Sequence, residues 1–525
     1  MRVVDPGLAV LTAAWQAAWA DFLANRVGIA ERRAAPFLHA LPEKLAVRLE
    51  AADDDHADSL MMLADLSHLA GAVRGEEALL RLALTAYDTH LGLNPSNFAA
   101  MRMRAETMLR LRDYAGAFAA FNSLYAASLA EATGEATGEV APFQLIHDAE
   151  CIEDAVRLGA DAVALDHAAS WRALADELCH GAGGDATARI AVKELSPSQR
   201  ALLGAHGTPL PLPPTSADAR SANALGSPPA PPALLSLIAP RALSLAPPPM
   251  QAPVAPAPLP RALRADIDWA WATREYAEQR TVVIDDLLSP TALRAIQSYA
   301  RHGAHFRTLR KGYLGAFPSD GTVHPLLLAL AEELTAAAPA LFGAHTLALW
   351  WIFKYDETNP SGIGIHADPA AVNINLWLTD DVACEEGGGL AIYSYVPPLA
   401  LSTPKVNHEF ESEAAEQALR AQLVAAGRVR TIGYRCNRAA IFVSDQYHES
   451  LPFRFRPGYE HRRANLTLLF GNRWSSALHP QQQSMQQSAS SGCGRAEAVE
   501  ERAAGGGGGS VPQAAAESAF DVFDG

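Results

Sequence analysis

The spacing of apolar residues changes character twice along this chain. Up to about residue 190, apolar positions recur every three or four residues among Ala, Leu, Arg and Glu, which predicts a helical region. One helix is expected from Glu76 to Leu91, ended by Gly92 and Pro95. A second is expected from Phe98 to Leu111, capped by Asn97 or Ser96, and a third from Ala115 to Ala130 after an Asp113-Tyr114 turn. Gly181 to Asp185 closes the region. Residues 205 to 262 have no period, and Pro209 to Pro214, Pro228 to Pro232 and Pro247 to Pro260 make them a semi-extended linker.

Beyond Ile267 the period becomes two. Extended segments are predicted at Thr281 to Ile284, Leu347 to Tyr355, Gly364 to Ala367, Val372 to Thr379, Leu390 to Tyr393, Arg428 to Ile432, Ala439 to Val443 and Asn465 to Phe470. Lys311 to Phe317 is expected to be a loop or strand edge. Helices are predicted from Pro290 to Tyr299 and from Pro325 to Ala337, and Asn407 to Gly427 reads as a helical insertion between strands. Many short strands separated by turn signals point to a closed or two-sheet β-structure of the jelly-roll kind. After Trp474 the Gln, Ser and Gly runs predict disorder. The expected organisation is multidomain α + β: 1–190 helical, 191–265 Pro-rich linker, 266–474 jelly roll, 475–525 disordered tail.

Composition narrows the function classes. At 525 residues the chain exceeds what one core normally holds. A net charge of −16 argues against a general nucleic-acid or anionic-membrane binder. Five scattered cysteines with no CxxC suit a reducing compartment, so a cytoplasmic location is expected. Leu8 to Phe22 reads as a helix rather than a secretory signal, because Asp5 precedes it and Asp21 interrupts its end. No apolar run reaches the roughly 18 residues of a membrane span.

Leu93-Asn94-Pro95 through Phe121 resembles a tetratricopeptide-type helical repeat, by its Asn-Pro start, its two-helix length and its Ala, Tyr and Phe placement. That resemblance implies a concave surface holding a partner or substrate protein. An ordinary helical bundle is the other reading.

The chemistry centres on a tripeptide written twice. His56-Ala57-Asp58 lies in an acidic, helix-prone segment, where residues i and i+2 point about 200° apart and cannot share an ion. His366-Ala367-Asp368 follows Gly362 and Gly364 in an extended setting, where i and i+2 point the same way. Downstream, Val372, Ile374, Leu376 and Leu378 form an aliphatic face. Asn373, Asn375, Trp377 and Thr379 form a polar face suited to a ligand-lined interior. Glu385-Glu386-Gly387-Gly388-Gly389-Leu390 is a glycine turn leading into a strand. The apolar strand Ala439 to Val443 delivers His448 at its end, and Arg463, Asn465 and Thr467 share a face of the last strand. Two imidazoles and a carboxylate are the ligand set of non-haem Fe(II) oxygenases. An arginine inside a barrel needs an anion, which the distal carboxylate of 2-oxoglutarate would supply bidentately. Arg454, Arg456, Arg462 and Arg473 are expected to give a local basic patch near the site.

The order Tyr355, His366-x-Asp368, Gly-Gly-x-Leu, His448 and Arg463 within Arg-Ala-Asn-Leu-Thr-Leu resembles the double-stranded β-helix 2-oxoglutarate/Fe(II) oxygenases, in style their prolyl-hydroxylase-like branch. The resemblance spans about 280 to 474. It implies His366, Asp368 and His448 as metal ligands. It implies Arg463 as the co-substrate anchor, with Thr467, Tyr355, Trp377 and the polar-face Asn375 around it. Fe(II), 2-oxoglutarate, O₂ and ascorbate are the implied cofactors, and a protein or peptide substrate, prolyl in type, the implied partner. The insertion at 407–427 departs from the pattern, and Tyr355 fits it only loosely. The rival readings are a cupin-like metal enzyme, which would not need Arg463 on the inner face, and a non-catalytic helical-repeat scaffold.

Overall fold

The computed structural model describes residues 57–131, 139–158, 164–204, 261–303, 308–355, 362–397 and 413–473, apart from Lys311 and Arg428, with Phe306 and a few residues before 57. The Pro-rich segment from 205 to 260, the tail after Arg473, His56 and most of 8–22 lie outside the described residues, as do 407–412 of the insertion.

The first helices are α1 (Ala57–Arg74), α2 (Glu77–Leu93), α3 (Phe98–Arg110) and α4 (Tyr114–Glu131). Asn97 caps α3, its side chain accepting from the Ala100 N–H at 3.0 Å, which satisfies one of the helix's orphan donors. Gly71 permits the close approach of α1 and α2, since a Cβ there would meet the Leu80 backbone nitrogen at 2.9 Å. The burial of α3 is divided along its length. Ala100 and Met103 belong to a core with Leu60, Leu63, Leu66 and Tyr87 of α1 and α2, whereas Ala105, Met108 and Leu109 join the core of the β-structure. Successive helices pack on one another, and their apolar residues divide between a core shared with α1 and the core of the β-structure. The later helices are α5 (Pro142–Arg157), α6 (Ala164–Gly181) and α7 (Pro197–Gly204), with the antiparallel strands β1 (Glu139–Val140) and β2 (Ile190–Ala191) before α5 and after α6 in the chain; α8 (Trp269–Gln279) and the short α11 (Pro339–Phe342) belong to the C-terminal part.

The C-terminal part is a double-stranded β-helix. Its large antiparallel sheet has the order β3 (Thr281–Ile284), β11 (Ala439–Val443), β7 (Val372–Trp377), β14 (Ala464–Phe470), β6 (Leu347–Tyr355), β5 (Tyr313–Ala316), β4 (Thr308–Arg310). Facing it is a small sheet ordered β10 (Val429–Ile432), β9 (Leu390–Tyr393), β12 (His448–Ser450), extended by an antiparallel bridge between His366 and His448. A third pair joins β13 (Phe453–Phe455) to β8 (Cys384–Gly387).

Each face of the large sheet has its own cover. Ile374, Leu376, Ile441, Leu466 and Leu468 pack outward with Ile296 of α9 (Pro290–Ser298), Leu327 and Leu330 of α10 (Pro325–Ala337), and α3 and α4. On the inner face Trp377, Ala440 and Phe442 meet Leu390, Ile392 and Ile432 of the small sheet. The strand alternation expected between Val372 and Thr379 is thus a division between helix-covered and interior faces. The helix of the insertion, α12 (Glu413–Ala426), lays Leu419 and Leu423 against Ile365, Ala367, Ala391 and Tyr393 on the outside of the small sheet. β5 is an inner strand of the large sheet rather than an edge, pairing with both β4 and β6.

Candidate metal and dicarboxylate site

His366 and His448 face each other across an antiparallel bridge. The N–H of His366 donates to the His448 carbonyl at 2.9 Å and the reverse bond is 2.8 Å, so both rings leave on one side, their centroids 4.2 Å apart. Asp368, two residues along, returns to that side. Its carboxylate lies 3.9 Å from Nε2 of His366 and 3.4 Å from Nε2 of His448, and one ligand atom from each of the three residues lies within 4.8 Å of the others. Donors that share an ion at about 2.0–2.2 Å from each are separated by about 3–4 Å.

The histidine tautomers follow from their neighbours. Nδ1 of His366 lies 2.8 Å from the Gly364 carbonyl and Nδ1 of His448 lies 2.8 Å from the Gln446 carbonyl. A carbonyl only accepts, so Nδ1 carries the proton in each ring and Nε2 presents a lone pair. Burial above all pushes the pKa of His366 down to about 4, so this ring is neutral at pH 7, as a ligand must be.

Asp368 supplies the test of fit. One carboxylate oxygen accepts from the Asn373 side chain at 2.7 Å; the other, Oδ1, is buried with no hydrogen-bond partner among the described residues. A buried anionic oxygen left unpaired is costly, and a cation between the three donors would satisfy it.

The interior face beyond Asn373 is lined by the residues expected there. Register pairs Thr467 with Asn375 and Asn465 with Trp377, and the Arg463 carbonyl accepts from the Tyr355 N–H at 2.9 Å. Arg463 is 2% exposed. Its Nη2 donates to the Gly388 carbonyl at 3.2 Å, while Nε and Nη1 have no hydrogen-bond partner among the described residues. The guanidinium lies 4.3 Å over the Tyr355 ring and 5.1 Å from the Phe453 ring centroid. Trp377 Nε1, Asn375 Oδ1 and Asn465 Oδ1 are likewise buried and unpartnered, and the Asn465 amide donates to Thr467 Oγ1 at 3.3 Å. The glycine turn matters here. Gly387 has φ +67, and a Cβ on it would fall 1.8 Å from the Pro452 carbonyl oxygen, so glycine alone lets the chain pass and offer the Gly388 carbonyl to Arg463.

The donor set is that of a facial two-histidine, one-carboxylate metal site.

No family model matches the chain, and no curated protein matches it. Solved structures similar to it include a 2OG-Fe(II) oxygenase family oxidoreductase from Burkholderia pseudomallei, at 12% identity over 40% of this chain and 95% of that one, TM-score 0.27. A Pseudomonas putida prolyl-4-hydroxylase is similar at 18% identity over 39% of this chain and 99% of that one, TM-score 0.27. HygX from Streptomyces hygroscopicus, with nickel, 2-oxoglutarate and hygromycin B bound, is similar at 12% identity over 39% and 87%, TM-score 0.27.

Three of the four arginines expected to make a basic patch are paired with acids. Arg473 is buried and paired with Asp445 at 2.7 Å, Arg462 pairs with Glu150 of α5 at 2.7 Å, and Arg454 faces Glu385 and Glu386 at 3.0 and 3.4 Å. Acidic partners from distant segments neutralise what looks basic in one stretch of sequence. Asn373, expected on the polar interior face, holds Asp368, whereas the roles of Asp445, which anchors Arg473, and of Arg420 of α12, which grips Glu449, are not legible in the sequence pattern. The Glu416-Arg420 spacing on a predicted helix was the one available signal.

Proposed function

We propose that this chain is an Fe(II)- and 2-oxoglutarate-dependent dioxygenase that hydroxylates a C–H bond, releasing succinate and CO₂. One observation carries the reading: Arg463 is buried with two nitrogens that have no partner among the described residues, in the same barrel domain whose His366, Asp368 and His448 bring their ligand atoms within 4.8 Å of one another. A cupin-like site with another chemistry has no use for such an arginine. A dicarboxylate co-substrate uses both features, one end for the metal and the other for the guanidinium.

The residues divide the work. His366, Asp368 and His448 would hold Fe(II), which when bound supplies the redox chemistry with O₂. Arg463 would take the distal carboxylate, kept in place beneath it by Tyr355 and Phe453. Thr467, Asn375, Asn465 and Trp377 offer polar atoms to the co-substrate. Leu390, Ile392 and Phe442 keep the chamber apolar and exclude water. For the substrate we favour a protein or peptide, prolyl in type, held by the helical region. Ascorbate would serve as accessory reductant.

The test is succinate formation from 2-oxoglutarate with Fe(II), followed by a peptide screen for the mass gain of one oxygen atom. Succinate release that persists in His366→Ala would overturn the reading.

A further inference from the structure

The insertion helix α12 makes its polar contacts with the two strands that carry the histidines. Arg420 donates from Nε to Glu449 Oε1 at 3.0 Å and from Nη2 to Glu449 Oε2 at 2.5 Å, and the same Nη2 reaches Glu416 Oε1 at 2.7 Å. Glu449 adjoins His448 in β12 and is braced from β9 by the Tyr393 hydroxyl, which donates to it. Glu416 accepts from the Ile365 N–H at 3.4 Å and lies so close to Gly364 that a Cβ there would meet Oε1 at 2.7 Å. Gly364 and Ile365 lead into His366, and the Gly364 carbonyl is the acceptor that orients the His366 ring.

We infer that Arg420 is a positioning residue of the metal site, joining the two ligand strands from outside the barrel through Glu449 and Glu416. Arg420 does not touch the metal ligands. It fixes the spacing of the backbones from which they project. On the His366 side the chain of contact runs from Arg420 through Glu416 to Gly364, whose carbonyl sets the ring. On the His448 side it runs through Glu449, the neighbouring residue. The two segments share a short backbone ladder, in which the His366–His448 bridge is flanked by bonds from the Ser450 N–H to the Ile363 carbonyl at 2.9 Å and from the Asp368 N–H to the Ser444 carbonyl at 3.2 Å, and Arg420 adds the side-chain link across it. The apolar contacts of Leu419 and Leu423 seat the helix, so removing the guanidinium leaves the cover in place and releases the polar link alone.

The inference rests on the metal-site reading above, and its test is metal binding without turnover. Full-length protein is titrated with Co(II), whose visible absorption reports ligand geometry. Arg420→Met is expected to weaken Co(II) binding about tenfold, the low end of the range for outer-shell partners, and to broaden the absorption band. Arg420→Lys, which keeps one cationic donor, is expected to recover part of the affinity. Glu416→Gln, a conservative change at a partly exposed helix position, is expected to weaken binding in the same direction without altering the melting temperature of the metal-free protein. Wild-type affinity and spectrum in a folded Arg420→Met or Glu416→Gln protein overturn the inference. Failure of the wild-type chain to turn over 2-oxoglutarate while it binds Co(II) overturns the proposed function and leaves this inference standing.

Discussion

Phe118 of α4 stacks on Trp350 of β6, ring centroids 4.7 Å apart and 28° from parallel. Phe121 meets the same indole edge-on at 5.8 Å, and the indole N–H donates to the Thr322 carbonyl at 2.7 Å. Tyr114, at the start of α4, accepts from the Leu347 N–H at 3.1 Å. The helices and the barrel therefore share one apolar core, and the sheet that carries the site interior on one side carries α3 and α4 on the other.

That shared core predicts cooperative unfolding. Trp350→Ala removes a fully buried indole and should cost about 3–5 kcal/mol. Far-UV circular dichroism in a denaturant titration should give one transition, shifted to lower midpoint. Helical signal that melts separately from the barrel would count against a common core.

Removing the carboxylate of the metal site should separate binding from folding. In Asp368→Asn, metal affinity and 2-oxoglutarate turnover should be lost. The metal-free protein should melt no lower than wild type, because a buried carboxylate oxygen without a partner has been relieved. A calorimetric scan of both metal-free proteins decides it. His56→Ala, at the twin tripeptide, should leave turnover unchanged.

Arg463→Met should raise the KM for 2-oxoglutarate by about two orders of magnitude, the loss expected for a buried charge-assisted pair, with metal affinity preserved. Arg463→Lys should lie between. The metal-free Met variant should be more stable than wild type, since the unpaired guanidinium is gone. Unchanged KM in Arg463→Met would remove the arginine from the co-substrate site.

Lys354 gives a pH prediction on the outer face of β6. Its ammonium is buried between the rings of Phe306 and Tyr459, and donates to the Arg301 carbonyl and the Tyr459 hydroxyl at 3.2 and 2.9 Å. Burial pulls its pKa down to about 7 from an ordinary value of 10.5. Between these values the unfolded chain holds a proton that the folded chain has released, so stability rises with pH across that window; below pH 7 the burial penalty is fully present. Lys354→Met should therefore gain more in melting temperature over wild type at pH 6 than at pH 9. An equal gain at both would show that Lys354 keeps its proton throughout.

The apolar pattern places these strands well because a strand covered on both faces is a short apolar run bounded by turn signals, and β6, β9 and β11 begin and end where that pattern does. Ser289-Pro290 and His324-Pro325 likewise fixed the starts of α9 and α10 by local capping chemistry. The extended setting of His366-Ala367-Asp368 was legible for the same reason, since side-chain direction on a strand is a local property. Long-range geometry was not. Nothing local in Ala105, Phe118 or Trp350 says that a helix region and a barrel share a core. The pairing of Arg473 with Asp445 and of Arg462 with Glu150 joins residues brought together only by the fold. Sequence by itself singled out two imidazoles, a carboxylate and an arginine as candidates, and determined which way each points along its strand. Only the tertiary structure decided that His366 and His448 face each other, that Arg463 is buried with no acidic partner among the described residues, and that α12 grips both histidine strands, because those relations depend on distances between segments far apart in the chain.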